Sequence, residues 1–183
     1  MANIRQIVRR LAGTDAAEIA EVAVVLPLVF MLLLGIVWFG RAFNIYSTIT
    51  QAAQQGAITA ARESCATCGA PGLPNATTVD TAVTSVLKAS SLDITQIKQW
   101  EANNPTPGVQ ACPAPAPQSN LCTLTANKVW VCSSVLLNSA TEPTPQCGAM
   151  VSFQFPFKFY LPFTSLNMQQ ITMSAQGQSR MEN

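Results

Sequence analysis

The chain has no histidine, and only 10% of its 183 residues are charged. Without an imidazole it lacks the commonest general base, the commonest metal ligand and every catalytic triad that uses one. This absence argues against hydrolases, zinc enzymes and haem proteins, so the sequence predicts no catalytic residue, no metal site and no cofactor. The net charge of +1 gives no reason to expect nucleic acid as a partner.

Cysteine is missing from the first 64 residues and frequent afterwards, at Cys65, Cys68, Cys112, Cys122, Cys132 and Cys147. An even number of cysteines on one side of an apolar segment predicts structural disulfides made in an oxidising compartment. Their pairing stays open, and Cys65 and Cys68 either pair locally or each reach a strand cysteine. The alternative is a membrane-tethered periplasmic thiol-disulfide oxidoreductase that uses Cys65 and Cys68, although CATC lies in a Pro/Gly-rich loop rather than a βαβ unit.

An apolar run of eighteen residues without a charge extends from Val22 to Phe39. This length predicts a transmembrane helix, which we place at residues 17–40. A cleaved signal peptide is less favoured because the apolar run is long and no A-x-A-like site follows it. The basic residues Arg5, Arg9 and Arg10 precede the helix. They predict a cytoplasmic leader at residues 1–16, with everything after residue 40 outside the cytoplasm.

Two features of the apolar helix need a physical explanation. Pro27 has no backbone N–H to donate and is expected to bend or loosen the helix. Glu18 and Glu21 lie at its inner edge, and for Glu18 we favour a place in the lipid headgroup layer. Glu21 either shares that layer or enters the hydrocarbon, where a carboxylate must be neutral or paired with a cation from another chain.

Residues 41–63 continue the helix with an amphipathic pattern. Apolar and small residues recur in it at three- and four-residue spacing, at Ile45, Ile49, Ala52, Ala53, Gly56 and Ala60. Residues 64–183 predict an extracytoplasmic α+β domain with Cys-rich and Pro-rich loops. We expect a short helix at residues 77–90, capped by Thr77 or Thr78, a surface loop at residues 102–120, and three strands. The strands are Leu121–Val135, Ala149–Leu161 and Gln170–Ala175. They are expected to form a small antiparallel sheet packed against the long helix. Four phenylalanines of the second strand should lie in the core of the sheet: Phe153, Phe155, Phe157 and Phe159. Pro156 should confine that strand to an edge or a bulge.

The segment AEIAEVAVVLPLVFMLLLGIVWFGRAFNIYSTITQAAQQGA, residues 17–57, resembles the TadE-like pilus assembly proteins, a pseudopilin family related to type IV pilins. Glu21 followed six residues later by Pro27, then the Leu-rich run and FGRAF, carry the resemblance. The C-terminal ITMSAQGQSRMEN is similar to the closing strand of that family. The resemblance implies a pilin-like fold and a structural subunit or assembly factor of a Tad-type extracellular filament, anchored in the bacterial inner membrane before assembly.

The resemblance also implies how subunits meet. Glu21 and Pro27 would lie at the contact between apolar helices, where the subunit associates with further copies or with related pilins after leaving the membrane lipid. Glu21 would pair with the N-terminal amine of an adjacent subunit, which a prepilin peptidase creates. Cleavage after Gly13 makes Glu18 the fifth residue of the mature chain, whereas cleavage after Ala16 makes Glu21 the fifth. An uncleaved chain is the third possibility.

Overall fold

The computed structural model describes residues 14–62, 75–100, 109–112, 122–138, 144–158 and 170–181. Its first element, α1 (Thr14–Ala61), is one helix of 48 residues that contains Pro27. Pro27 cannot donate to the carbonyl of Ala23, so one rung of the helical ladder is missing. The chain divides into two units, residues 1–43 and residues 44–183.

In the second unit, α1 contributes a face of small side chains to the core. The predicted three- and four-residue spacing is confirmed: Ile49, Ala52, Ala53, Gly56 and Ala60 are buried, and Ile45 packs against the same core. Short side chains allow the neighbouring elements to approach the helix backbone closely. A Cβ added to Gly56 would lie 2.6 Å from Cγ2 of Val83.

A second helix, α2 (Ala76–Ala89), begins and ends one residue before the predicted bounds, 77 and 90. Its N-cap is Asn75 rather than Thr77 or Thr78, and the Asn75 side chain accepts a 3.3 Å hydrogen bond from the Thr77 N–H. Asparagine is among the strongest N-cap residues, and both threonines lie inside the first turn. The helix buries Val79, Val83 and Leu87.

A 3₁₀ turn at Ile94–Gln96 follows, and Asp93 caps it. The Asp93 carboxylate accepts hydrogen bonds from the Thr95 hydroxyl at 2.8 Å and the Thr95 N–H at 3.0 Å. These bonds favour the ionised form, so they lower the pKa of Asp93 below its usual value of 3.8.

Four antiparallel strands form one sheet in the order β1-β2-β3-β4. They are β1 (Cys122–Leu124), β2 (Trp130–Leu136), β3 (Cys147–Lys158) and β4 (Gln170–Arg180). The predicted α+β class, with a long N-terminal helix and a small antiparallel sheet, is confirmed. The single strand expected at Leu121–Val135 is instead a hairpin, because Lys128 has a φ of 63° and the chain reverses between Thr125 and Val129.

A β-bulge divides β2. Cys132 pairs with Met150 and Val135 pairs with Gly148, so Ser133 and Ser134 together lie opposite Ala149. Ser134 has a φ of 55°, which is rare for a residue with a Cβ. The extra residue brings Val135 to the same sheet face as Cys132, where both pack with Met150 in a second, smaller core.

The phenylalanines of β3 lie in the main core as predicted: Phe153, Phe155 and Phe157 are buried. Phe159 is outside the described residues. β3 is a central strand, yet β2 pairs with it only as far as Ser152. Pro156 therefore lies where β3 has β4 on one side and no strand on the other within the part of the chain that the structure describes, so the strand is locally an edge, as proline requires.

Candidate assembly surface

The apolar part of α1 is the largest uncovered hydrophobic surface among the described residues. Every residue from Glu18 to Leu33 is exposed, whichever side of the helix it lies on. Large side chains remain exposed further on, with Ile36 at 61%, Phe39 at 75% and Phe43 at 72%. A helix that is apolar all round is stable only in lipid or inside a protein assembly. Within the described residues this is the one helix long and apolar enough to cross a membrane, with a mean hydropathy of 2.8.

Polar groups mark both ends of this surface. Glu18 and Glu21 are exposed at the N-terminal end. At the other end the Arg41 guanidinium lies 5.8 Å from the ring centroid of Trp38, a cation–π distance. Tryptophan and arginine are both common at membrane–water interfaces. The two ends are therefore separated by a segment without a single charge.

The two glycines of this segment, Gly35 and Gly40, have open space beside them. A Cβ added to Gly35 or Gly40 would have no heavy atom within 4 Å. Pro27 lies in the same exposed surface, six residues after Glu21. The positions singled out for subunit contacts, Glu21 and Pro27, are thus accessible on the isolated chain.

The candidate peptidase positions are less informative. Gly13 lies outside the described residues. Ala16 is within α1, but its side chain is outside the description. Cleavage after either residue remains a prediction.

Four cysteines form two disulfides near the β1 edge of the sheet. Cys122 and Cys132 are directly opposite each other on β1 and β2 and form one disulfide. Cys112 and Cys147 form another, which ties the predicted surface loop to the start of β3. These four are bonded to one another, so the idea that Cys65 or Cys68 reaches a strand cysteine is wrong. Cys65 and Cys68 themselves lie outside the described residues.

The rest of the surface that the structure describes includes two shallow grooves. One is lined mainly by threonine and serine residues, at Thr59, Thr77, Thr78, Thr81 and Ser85, and the other by Gln54, Ile58, Gln176, Gly177 and Gln178. No group of three His, Cys, Asp or Glu residues that would hold a metal ion occurs within the described ranges.

An exposed apolar helix and a disulfide-stapled α+β unit fit a membrane-anchored protein with a small folded domain. More particularly, residues 16–57 match the family model described as TadE-like protein, which confirms the resemblance over that segment. No curated protein and no solved structure matches the chain. The family match and the apolar helix together fit a membrane protein related to Tad pili, and they favour a structural over an enzymatic role.

Proposed function

We propose that this chain is a structural subunit or assembly factor of a Tad-type extracellular filament. The observation that carries the proposal is the helix surface from Glu18 to Leu33, which no other part of the described chain covers. In the inner membrane, lipid covers that surface. After extraction only the apolar helices of neighbouring subunits can replace the lipid, because exposing so many large apolar side chains to water is strongly unfavourable.

The orientation follows from charge and covalent chemistry. Arg5, Arg9 and Arg10 precede the apolar segment and Arg41 alone follows it closely, so the N-terminus stays in the cytoplasm. Both described disulfides lie after residue 110, and disulfides persist in the periplasm rather than the cytoplasm. Residues 41–183 therefore lie in the periplasm, and outside the cell once the subunit joins a filament.

Glu21 is proposed as the charged contact between subunits. It adjoins Val22 and the uncharged run, whereas Glu18 is nearly one turn further from the apolar centre. An unpaired carboxylate within a bundle of apolar helices costs several kcal/mol, so the position calls for a cation in trans. A free amine of an adjacent subunit supplies it, provided that a prepilin peptidase has cut after Ala16.

Two matched substitutions test this role, because each removes one carboxylate charge from neighbouring turns of the same helix. Glu21→Gln should leave membrane insertion and disulfide formation intact but prevent incorporation into filaments. Glu18→Gln should assemble almost normally. The measurement is the amount of the chain in sheared, sedimented filaments relative to the amount in membranes, together with N-terminal sequencing of the assembled subunit.

The result that counts against the Glu21 contact is normal assembly of Glu21→Gln. Retention of Met1 in assembled subunits would remove the proposed amine partner. If the wild-type chain is found only in membranes while filaments form from other subunits, its role is that of an assembly factor rather than a filament subunit.

A further inference from the structure

The outer edge of β4 carries backbone groups that point away from the sheet. The N–H and C=O of Gln154 bond to Lys98, each at 2.8 Å, and so face away from β4. Gln154 is paired with Ser174, so the backbone groups of Ser174 also face away, toward the outer side of β4. In an antiparallel ladder this orientation recurs at every second residue. Alternate residues of β4 therefore have N–H and C=O groups that face outward and have no backbone partner among the described residues: Gln170, Thr172, Ser174, Gln176, Gln178 and Arg180.

The opposite flank of the sheet is built from short pieces. β1 pairs with the first half of β2. The segment Val109–Cys112 pairs with its second half through 2.8 Å bonds from Cys112 N–H to Ser134 and from Leu136 N–H to Gln110. Both pieces are held by disulfides. Together they line the seven residues of β2.

β4 has none of the features that normally keep an exposed strand edge from pairing with another chain. It runs in unbroken register with β3 over all eleven residues, without a bulge. It contains no proline and no lysine, and its one charge is Arg180 at the end. Natural edge strands usually carry such protection, so a long, regular and nearly uncharged edge indicates a strand that pairs with a partner.

We propose that the β4 edge pairs with the β1 flank of a second copy of this chain in the same orientation, so that the sheet continues from one subunit to the next. This inference rests on the proposed function, since a shared bilayer or filament is what gives neighbouring copies one orientation. A contact between two different surfaces propagates without closing, which is the geometry of a filament.

Chain direction supports this pairing. Each neighbour in the order β1-β2-β3-β4 is antiparallel, so β1 runs opposite to β4, and Val109–Cys112 runs in the direction of β1. A copy in the same orientation therefore presents its flank antiparallel to β4. The flank also offers outward backbone groups, because Gln110 and Cys112 use theirs toward β2 and leave those of Ala111 facing out.

Self-pairing of two β4 strands is the main competing arrangement. Antiparallel pairing of β4 with its own copy requires a two-fold axis perpendicular to the sheet. That axis reverses residues 44–61 of α1, which lie on one sheet face. Neighbours in one bilayer or one filament point these helices the same way, so the geometry favours the flank over a second β4.

Cysteine crosslinking distinguishes these arrangements. Ala111→Cys is combined in turn with Thr172→Cys, Ser174→Cys, Gln176→Cys or Gln178→Cys, whose side chains share the sheet face of Ala111 by register. Filaments and membranes from each full-length variant are treated with a short bismaleimide, which leaves disulfides intact. At least one combination should give a ladder of dimers, trimers and higher multimers, while each single variant should give no ladder. The matched control pairs Ala111→Cys with Ser85→Cys on the exposed face of α2.

Each other outcome has one meaning. Dimers without higher multimers from Ser174→Cys alone show β4 self-pairing and overturn the proposal. Filaments that contain every variant but show no ladder above the Ser85→Cys control overturn the edge contact and leave the proposed function in place. If neither filaments nor membranes contain the parent chain, the proposed function fails first.

Discussion

At Gly177 the backbone of β4 closely approaches the backbone of helix α1. A Cβ added there would collide with the backbone carbonyl group of Ala53 and lie 2.5 Å from the backbone nitrogen of Gln54. Backbone atoms of a packed helix cannot rotate aside as a side chain can. The missing Cβ therefore sets how close α1 lies to β4.

Gly177→Ala is expected to destabilise the folded unit by about 1–3 kcal/mol, because overpacking outweighs the roughly 0.5–1 kcal/mol that alanine gains over glycine in a strand. Gly56→Ala is the matched control, since the nearest atom to its new Cβ is a methyl of Val83 that can shift. Its loss should be smaller. Denaturant unfolding of the detergent-solubilised chain, followed by tryptophan fluorescence, measures the free energy of unfolding of both variants. Equal losses would show that α1 can shift its position on the sheet at little cost.

Asp80 joins α2 to the β1–β2 turn, and the sequence alone gave no sign of it. Its carboxylate accepts hydrogen bonds from the Thr125 hydroxyl at 2.9 Å and from the Asn127 amide at 2.6 Å, 45 and 47 residues away. A helix aspartate next to several threonines looks like an ordinary solvent-facing residue. Its exposed fraction of 9% shows that it is not.

Asp80→Ala should lower the free energy of unfolding by about 1–3 kcal/mol, because two partly buried donors lose their acceptor. Thr78→Ala, on the exposed face of the same helix, should change it by less than about 0.5 kcal/mol. Fluorescence of Trp130, which follows the turn directly and donates to the Trp100 carbonyl at 3.2 Å, reports the transition. A loss for Asp80→Ala no larger than for Thr78→Ala would mean that the hydrogen bonds of Asp80 to the β1–β2 turn add nothing to the free energy of unfolding.

At the level of elements, the periodic segments were predictable and the irregular ones were not. The spacing of Ile45, Ile49 and Ala52 identified the buried face of α1 because a helix repeats every 3.6 residues. The bulge at Ser133 and Ser134 has no such repeat. It exists because it directs Val135 into the second core, a tertiary gain that overrides local preference. β4 was likewise predicted to end at Ala175, because glycine and glutamine disfavour strands when their packing partner is unknown.

The disulfide elements make a covalent prediction. Peptide mapping without reduction should recover Cys112 linked to Cys147 and Cys122 linked to Cys132, and Cys65 linked to Cys68 because no other cysteine of the chain remains. The two described bridges should each contribute about 2–4 kcal/mol to stability. Detection of any peptide that joins Cys65 or Cys68 to a later cysteine would contradict the pairing. Two free thiols at these positions would instead revive the oxidoreductase hypothesis.

At the level of the whole molecule, the prediction concerns which side of the membrane holds the folded unit. Protease added to intact spheroplasts should degrade residues 41–183, because the Arg5, Arg9 and Arg10 asymmetry and the disulfides predict that these residues lie outside. A cytoplasmic protein must stay intact in the same sample. Protection of the C-terminal unit until the membrane is lysed would reverse the topology, and a chain in which Arg5, Arg9 and Arg10 are all changed to Gln is the matched test of the cause.

Both described disulfides lie on the β1 side of the sheet, and neither reaches β4. If the chain joins a filament as proposed, tension passes through the covalent bridges across β1, β2 and the start of β3. The β3–β4 ladder then carries the load through hydrogen bonds alone. Because no described disulfide crosses between β3 and β4, their eleven residue pairs can separate without breaking a covalent bond and can re-form afterwards. The β1 side of the sheet is therefore covalently reinforced, whereas the β3–β4 pair separates first under load and can form again.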